Sequence, residues 1–373
     1  MTRARSRTYR AITAAASAVL LLTACGGDDA ADETDDSSSA DDADETDEGA
    51  DDADADDEAA DMGEPVNLTL GHPFPAQHPI QVNMIEPWVD DVAEATDGTV
   101  TIEIHPGGAI TGPPDAYDNA ASGAIDIGWA LHGYTPGRFP LTDIIDLPYQ
   151  FESATQATDA LWTLYDEFPE IQDEYSDTHI LALWTHDVGN LYTVNEPITE
   201  PDLSGLTLRG PGPVQLDMIE QMGGSGVGLP APELYDSLDQ GVIDGLVIAD
   251  TGIQSFALHE VVNYATLLNF YVSTQFLAMN QGTWDSLSEA QQEAITELSG
   301  RELSMVGGET YDTEHEAVVQ RYEEWGMEVV EVDDLTPWHE AGQAVVDDWI
   351  STQEGNGLPG QAIYDRLQEI LGN

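Results

Sequence analysis

One short passage occurs twice in this chain, and the repetition restricts the folds open to it. Ser122-Gly123-Ala124-Ile125-Asp126 is matched by Gln240-Gly241-Val242-Ile243-Asp244. In each, the glycine suits a helix end where the backbone turns left-handed. Each leads into an apolar run, Ile127-Gly128-Trp129-Ala130 in one and Leu246-Val247 in the other. Upstream of the first copy, residues 66–70 and 100–104 alternate with the period of two that marks a strand. Residues 81–96 read as a helix with Ile85, Trp88, Val89 and Val92 on one face, and 114–122 as a second. Upstream of the second copy, Thr207-Leu208-Arg209 reads as a short strand, with helices over 214–222 and 232–240 and, between them, the glycine run 223–228 as a turn and a strand leading to Leu229. A βαβαβ order written twice predicts an α/β chain of two similar lobes, each on a mostly parallel sheet, with a cleft between them. Residues 271–280 read as strand-rich, and 288–299 and 315–325 as helices.

Charge sets the next bound. The chain holds 72 acidic residues and 9 basic ones, all arginine. Arg3, Arg5, Arg7 and Arg10 stand ahead of an apolar stretch over 11–22 that ends at Cys25. That layout is a secretion signal, too short and wrongly flanked for a spanning helix. Cys25 is the single cysteine. A thioether from it to a diacylglycerol would anchor the mature chain on the outer face of a membrane. The plainer alternative is ordinary signal cleavage. Either way disulfides, thiolate metal sites and cysteine catalysis are excluded from the mature domain. Residues 26–64 carry 20 acids and no base, a composition that repels itself into an extended tether. Residues 65–373 keep 52 acids against 5 arginines, a net −47. Self-repulsion of that size needs screening, which predicts a compartment of high ionic strength. Nucleic acid and anionic lipid are excluded as partners, leaving membrane contact only through the anchor.

Among so few cations, Arg209 stands apart. It ends a strand and precedes Gly210-Pro211-Gly212-Pro213, where ligands of α/β sheets usually sit. A guanidinium there either grips a ligand carboxylate with paired hydrogen bonds or forms a structural ion pair. Position alone fits both. Arg301, Arg321 and Arg366 fall in helices among acids and read as surface ion pairs. Trp129, His132, Tyr134 and Arg138 follow the first repeat and are candidates for the facing wall of the cleft, against core packing for Trp129. Trp184, His186 and Asp187 end another apolar run. No HExxH, Gly-x-Ser-x-Gly or phosphate-loop motif occurs, and His72 and His78 lack a metal-ligand partner at helical spacing. The residues call for no metal, cofactor or catalytic group.

These stretches, in this order, resemble the extracytoplasmic solute-binding proteins of TRAP (tripartite ATP-independent periplasmic) transporters. The likeness runs from about residue 66 to the C-terminus. It is carried by residues 105–110, 124–128, 139–141 and 146–149, and most specifically by Asp202-Leu203-Ser204-Gly205-Leu206-Thr207-Leu208-Arg209 and residues 233–245. The resemblance implies a two-lobed periplasmic-binding-protein-like fold with a long helix from Ser288 to about Tyr311 spanning both lobes. It assigns 65–187 and 275–314 to lobe I, and 188–274 and 315–373 to lobe II. The lobes would close over an organic acid by rotation near 187–190 and 271–274 and deliver it to a membrane permease driven by an ion gradient, with no enzymatic step. Arg209 would hold the carboxylate, with Trp129, His132, Trp184, Asp187 and Tyr271 shaping the site. Some members place a second arginine near Gly189-Asn190-Leu191-Tyr192, and many an asparagine after Asp244-Gly245; this chain has neither. With Trp129, Trp184 and Tyr271, these departures point to an apolar or aromatic monocarboxylate. The alternatives are the binding lipoprotein of an ATP-driven importer for a sugar or amino acid, and an anchored hydrolase.

Overall fold

The computed structural model describes residues 62–372; the leader, Cys25 and the tether up to residue 61 lie outside the described residues. Residues 62–64, expected in the tether, are instead tied down. The Ser288 hydroxyl donates to the Met62 carbonyl, and the Gln291 amide to the Glu64 carbonyl, each at 3.1 Å. Among the described residues no helix is long and apolar enough to cross a membrane.

In chain order the strands begin with β1 (Val66–Gly71), β2 (Val100–His105), β3 (Ile127–Leu131) and β4 (Thr178–Thr185). Next come β5 (Gly189–Thr193), β6 (Thr207–Gly210), β7 (Ser225–Gly228), β8 (Gly245–Ala249) and β9 (Tyr264–Tyr271). Then follow β10 (Thr274–Asn280) and β11 (Glu328–Val330). They form two sheets, ordered β2-β1-β3-β10-β4 and β11-β9-β5-β8-β6-β7. The parallel trios β2-β1-β3 and β7-β6-β8 are the two βαβαβ units, and antiparallel strands extend each trio. The strand expected to lead to Leu229 is the edge strand β7, which takes in part of the glycine run expected as a turn.

The repeated passage does the same work in both lobes. Gly123 and Gly241 adopt φ of 75° and 67°, the left-handed turn that ends each helix. Asp126 Oδ2 then accepts from the Thr69 amide and hydroxyl, both at 2.8 Å, and Asp244 Oδ2 accepts from the Thr207 amide at 2.8 Å. Each aspartate thus ties the third strand of its unit to the first. β3, β5 and β8 are buried along their whole length, as expected of strands covered on both faces.

Two direct strand-to-strand crossings, His186-Asp187-Val188 and Val272-Ser273, carry the chain between the sheets, and the helices after β10 carry it across a third time, to β11. The two direct crossings lie side by side, with the His186 amide donating to the Ser273 carbonyl at 3.1 Å. The expected long helix is two consecutive helices, Glu289–Glu297 and Gly300–Val319. Ser299, with extended backbone (φ −119°, ψ −164°), separates them. The second runs past Tyr311, packing on the helix Ala154–Glu167 and β4 of lobe I and on the helix Asp250–Ser255 of lobe II. The helix expected over 315–325 therefore belongs to it as far as Val319. At the C-terminus, Thr336–Gly355 packs on the lobe II helix Pro213–Gln221, but Gly360–Leu371 packs on Ala154–Glu167 of lobe I. The Arg366–Glu167 pair, at 2.7 and 2.8 Å, reinforces that contact, while the last helix also packs on Thr336–Gly355.

Candidate functional site

Arg209 closes β6, and only about 2 % of its surface is exposed. Its Nε donates to the Leu229 carbonyl at 2.7 Å and its Nη1 to the Val247 carbonyl at 3.0 Å. These bonds aim the guanidinium without neutralising it. Arg138, Arg301, Arg321 and Arg366 each pair with a carboxylate. Among the described residues no carboxylate lies within 4 Å of Arg209. In a chain this acidic, a buried and unpaired cation is costly unless an anion arrives from outside. Burial pulls its pKa down, while the phenols of Tyr134 and Tyr271 raise it.

Arg209 lines a cavity of about 40 Å³ between the lobes. Phe74 and Leu131 from lobe I, and Ile248 and Phe256 from lobe II, supply apolar wall. His78, Tyr134, His186, Tyr271 and Tyr311 supply polar atoms, and Arg209 is the one cation among the lining residues. The Tyr271 hydroxyl is buried with no hydrogen-bond partner, and burial raises its pKa well above the ordinary value, so it is a neutral donor. The lobes meet over the cavity. The Tyr134 hydroxyl accepts from the Ala231 amide at 3.0 Å, and a Cβ built on Gly133 would stand 2.9 Å from Gly212 Cα.

Of the residues singled out in the sequence, Arg209, Tyr134, His186 and Tyr271 line this cavity; Trp129, His132, Arg138, Trp184 and Asp187 do not. Trp129 lies one layer back, 4.5 Å from the Phe74 ring centroid, with its indole N–H donating to Gln275 Oε1 at 2.9 Å. His132 is in the lobe I core, bonded to the Tyr175 hydroxyl at 2.8 Å, and burial lowers its pKa to about 3. Trp184 is fully buried in β4 against Gly307. Strands covered on both faces send most of their side chains into the core, so on the sheets the cleft is reached from the last residues of strands, such as Leu131, Ile248 and Tyr271, and from residues just past them. Asp187 is placed by the first crossing and accepts from the Thr251 hydroxyl at 2.5 Å and the Thr251 amide at 3.2 Å. It thereby positions Thr251, which lines the cavity. Phe74, Tyr311, Ile248 and Phe256 were not legible as site residues. A usable signal was position one to three residues beyond a strand, which holds for Tyr134, His186, Pro211 and Thr251.

Asp187, Asp250 and His315 converge, with one donor atom each within 4.8 Å of the others, the one metal-compatible group of this kind among the described residues. His315 Nδ1 lies 3.0 Å from Asp250 Oδ2 and 3.5 Å from Asp187 Oδ2. The bonds to Asp187 and Asp250 raise its pKa to about 10. With no ion present the cluster is an ion-paired imidazolium; binding a metal would require Nδ1 to release its proton. The region lacking a second arginine is also structural. Asn190 Oδ1 accepts from the Leu268 and Asn269 amides at 2.6 and 2.7 Å, and its Nδ2 donates to Asp250 Oδ1 at 2.8 Å.

The family described as bacterial extracellular solute-binding protein, family 7 (DctP) matches residues 70–353. Three solved structures are similar throughout the folded part. A marine metagenome TRAP solute-binding protein, described as specific for aromatic acid ligands and holding 3-hydroxybenzoate, is 28 % identical with a TM-score of 0.78, covering 83 % of this chain and 99 % of its own. A TRAP solute-binding protein from Rhodoferax ferrireducens T118 with copurified benzoate is 26 % identical with a TM-score of 0.78, covering 82 % and 98 %. One from Bordetella bronchiseptica with bound mandelate is 29 % identical with a TM-score of 0.77, covering 83 % and 99 %. The chain belongs to the family-7 extracellular solute-binding proteins: it is an extracytoplasmic, TRAP-type binding protein of a non-catalytic class. That membership decides against the ATP-driven importer and the hydrolase.

Proposed function

We propose that this protein closes over an aromatic or other apolar monocarboxylate and delivers it to a TRAP membrane permease for uptake driven by an ion gradient. The observation that carries the reading is Arg209, buried without a carboxylate partner in a wall that is otherwise uncharged or apolar. One cation balances one carboxylate. Ile248 and Ala249, in the run where many members place an asparagine, line the cavity and offer no side-chain hydrogen bond. The aromatic acids held by the three similar proteins support the same class. Arg209 and the free Tyr271 hydroxyl take the carboxylate. Trp129, His132 and Trp184 keep the lobe I wall rigid behind Phe74 and Leu131, and Asp187 sets Thr251. The mature chain is anchored through Cys25 and held off the membrane by the acidic tether, in a high-salt compartment.

A thermal-shift screen of the protein in about 2 M salt tests this. Benzoate-like acids are expected to stabilise it, succinate, sugars and amino acids much less, and Arg209→Gln to abolish the shift. Preferential stabilisation by succinate or a sugar would sink the reading.

A further inference from the structure

The two histidines of the cleft wall have tautomers fixed by the backbone, and fixed in opposite senses. His78 Nδ1 lies 3.3 Å from the Ile80 amide, which only donates, so Nδ1 bears the lone pair and Nε2 the hydrogen. His186 Nδ1 lies 2.5 Å from the Asp187 carbonyl, which only accepts, so Nδ1 bears the hydrogen and Nε2 the lone pair. Burial keeps both rings neutral, lowering His78 to about 3 and His186 below its ordinary value. Among the described residues neither Nε2 has a hydrogen-bond partner.

Tyr311 stands between them, its ring centroid 6.0 Å from that of His78 and 6.3 Å from that of His186. The role of its hydroxyl is also fixed. The Trp129 indole only donates, so the Gln275 atom 2.9 Å from it is Oε1. Gln275 Nε2 therefore faces Tyr311 and donates to its oxygen at 2.9 Å, leaving the phenolic hydrogen free. The cleft that holds Arg209 thus offers one imidazole donor, one phenol donor and one imidazole acceptor, none of them charged.

We infer that His78, Tyr311 and His186 form a hydroxyl-recognition subsite, and that the ligand is an aromatic monocarboxylate bearing a hydroxyl group. The inference rests on the proposal that Arg209 holds the carboxylate. A hydroxyl both accepts and donates, so it can take a hydrogen from His78 or Tyr311 while giving its own to His186. A second carboxylate would meet the His186 lone pair with nothing to donate. An unsubstituted ring would leave these buried groups unpaired, which weakens binding. Of the three similar structures two hold a hydroxylated acid, 3-hydroxybenzoate and mandelate, and one holds unsubstituted benzoate, so the choice for this chain rests on the side chains named above.

Calorimetric titration of the full chain with benzoate against 3-hydroxybenzoate, and phenylacetate against mandelate, tests it. In at least one pair the hydroxylated acid is expected to bind at least about tenfold tighter. His186→Phe, which keeps a planar ring and removes the acceptor, should bring that ratio to within about twofold. Tyr311→Phe should reduce it independently and serves if the first variant does not fold. Tight binding of aromatic acids with equal affinities in both pairs would overturn the subsite and leave the Arg209 reading standing. A ratio retained in the variants would overturn it as well. Binding of no aromatic acid would overturn both.

Discussion

Arg209 exerts its effect through its surroundings. Two backbone carbonyls hold the guanidinium in one orientation, so little rotamer freedom remains to be lost when an anion arrives. Among the described residues no acid lies within salt-bridge reach to compete for it. A desolvated charge-assisted bond outweighs the repulsive long-range field, which salt screens while leaving buried pairs almost untouched. Tyr271, beside the second crossing, adds a neutral, unpartnered donor to the same cavity.

At the scale of elements, the imidazolium of His315 joins three pieces: the first crossing through Asp187, the lobe II helix Asp250–Ser255 through Asp250, and the long helix on which it sits. Its folded pKa of about 10 exceeds the ordinary 6.5. Its stabilisation is therefore complete below about pH 6.5 and lost as pH rises through about 10. The chain has no lysine to titrate in that window. Urea unfolding of wild type and His315→Gln at pH 6, 8 and 10 should show a stability gap that narrows with rising pH; a constant gap would contradict the ion-pair role. The lobes, the repeated βαβαβ units and the strand-end arginine were legible in the sequence, because alternation, glycine caps and the duplicated Gly-x-Ile-Asp passage are local signals. The break at Ser299 and the packing of Gly360–Leu371 on the helix Ala154–Glu167 were not, since tertiary packing decides both. The same limit explains Trp129 and Trp184. Period two says that a strand side chain points to one face, but not that helices cover both faces.

Across the whole molecule, the net −47 of residues 65–373 makes ionic strength part of the fold's stability. At about 1 M salt the Debye length shrinks to about 3 Å, and repulsion between surface carboxylates is screened. Thermal unfolding is expected at a clearly higher temperature in about 2 M than in about 0.1 M sodium chloride, and equal midpoints would contradict a high-salt habitat. The central claim, that one desolvated arginine selects one carboxylate, is tested most directly by calorimetry in about 2 M salt. Benzoate would be compared with its uncharged isostere benzamide, on wild type and on Arg209→Gln. The account predicts that wild type favours benzoate by at least about tenfold and that Arg209→Gln loses this preference. Equal affinity of wild type for both compounds, or a preference that survives the substitution in a folded protein, would contradict it.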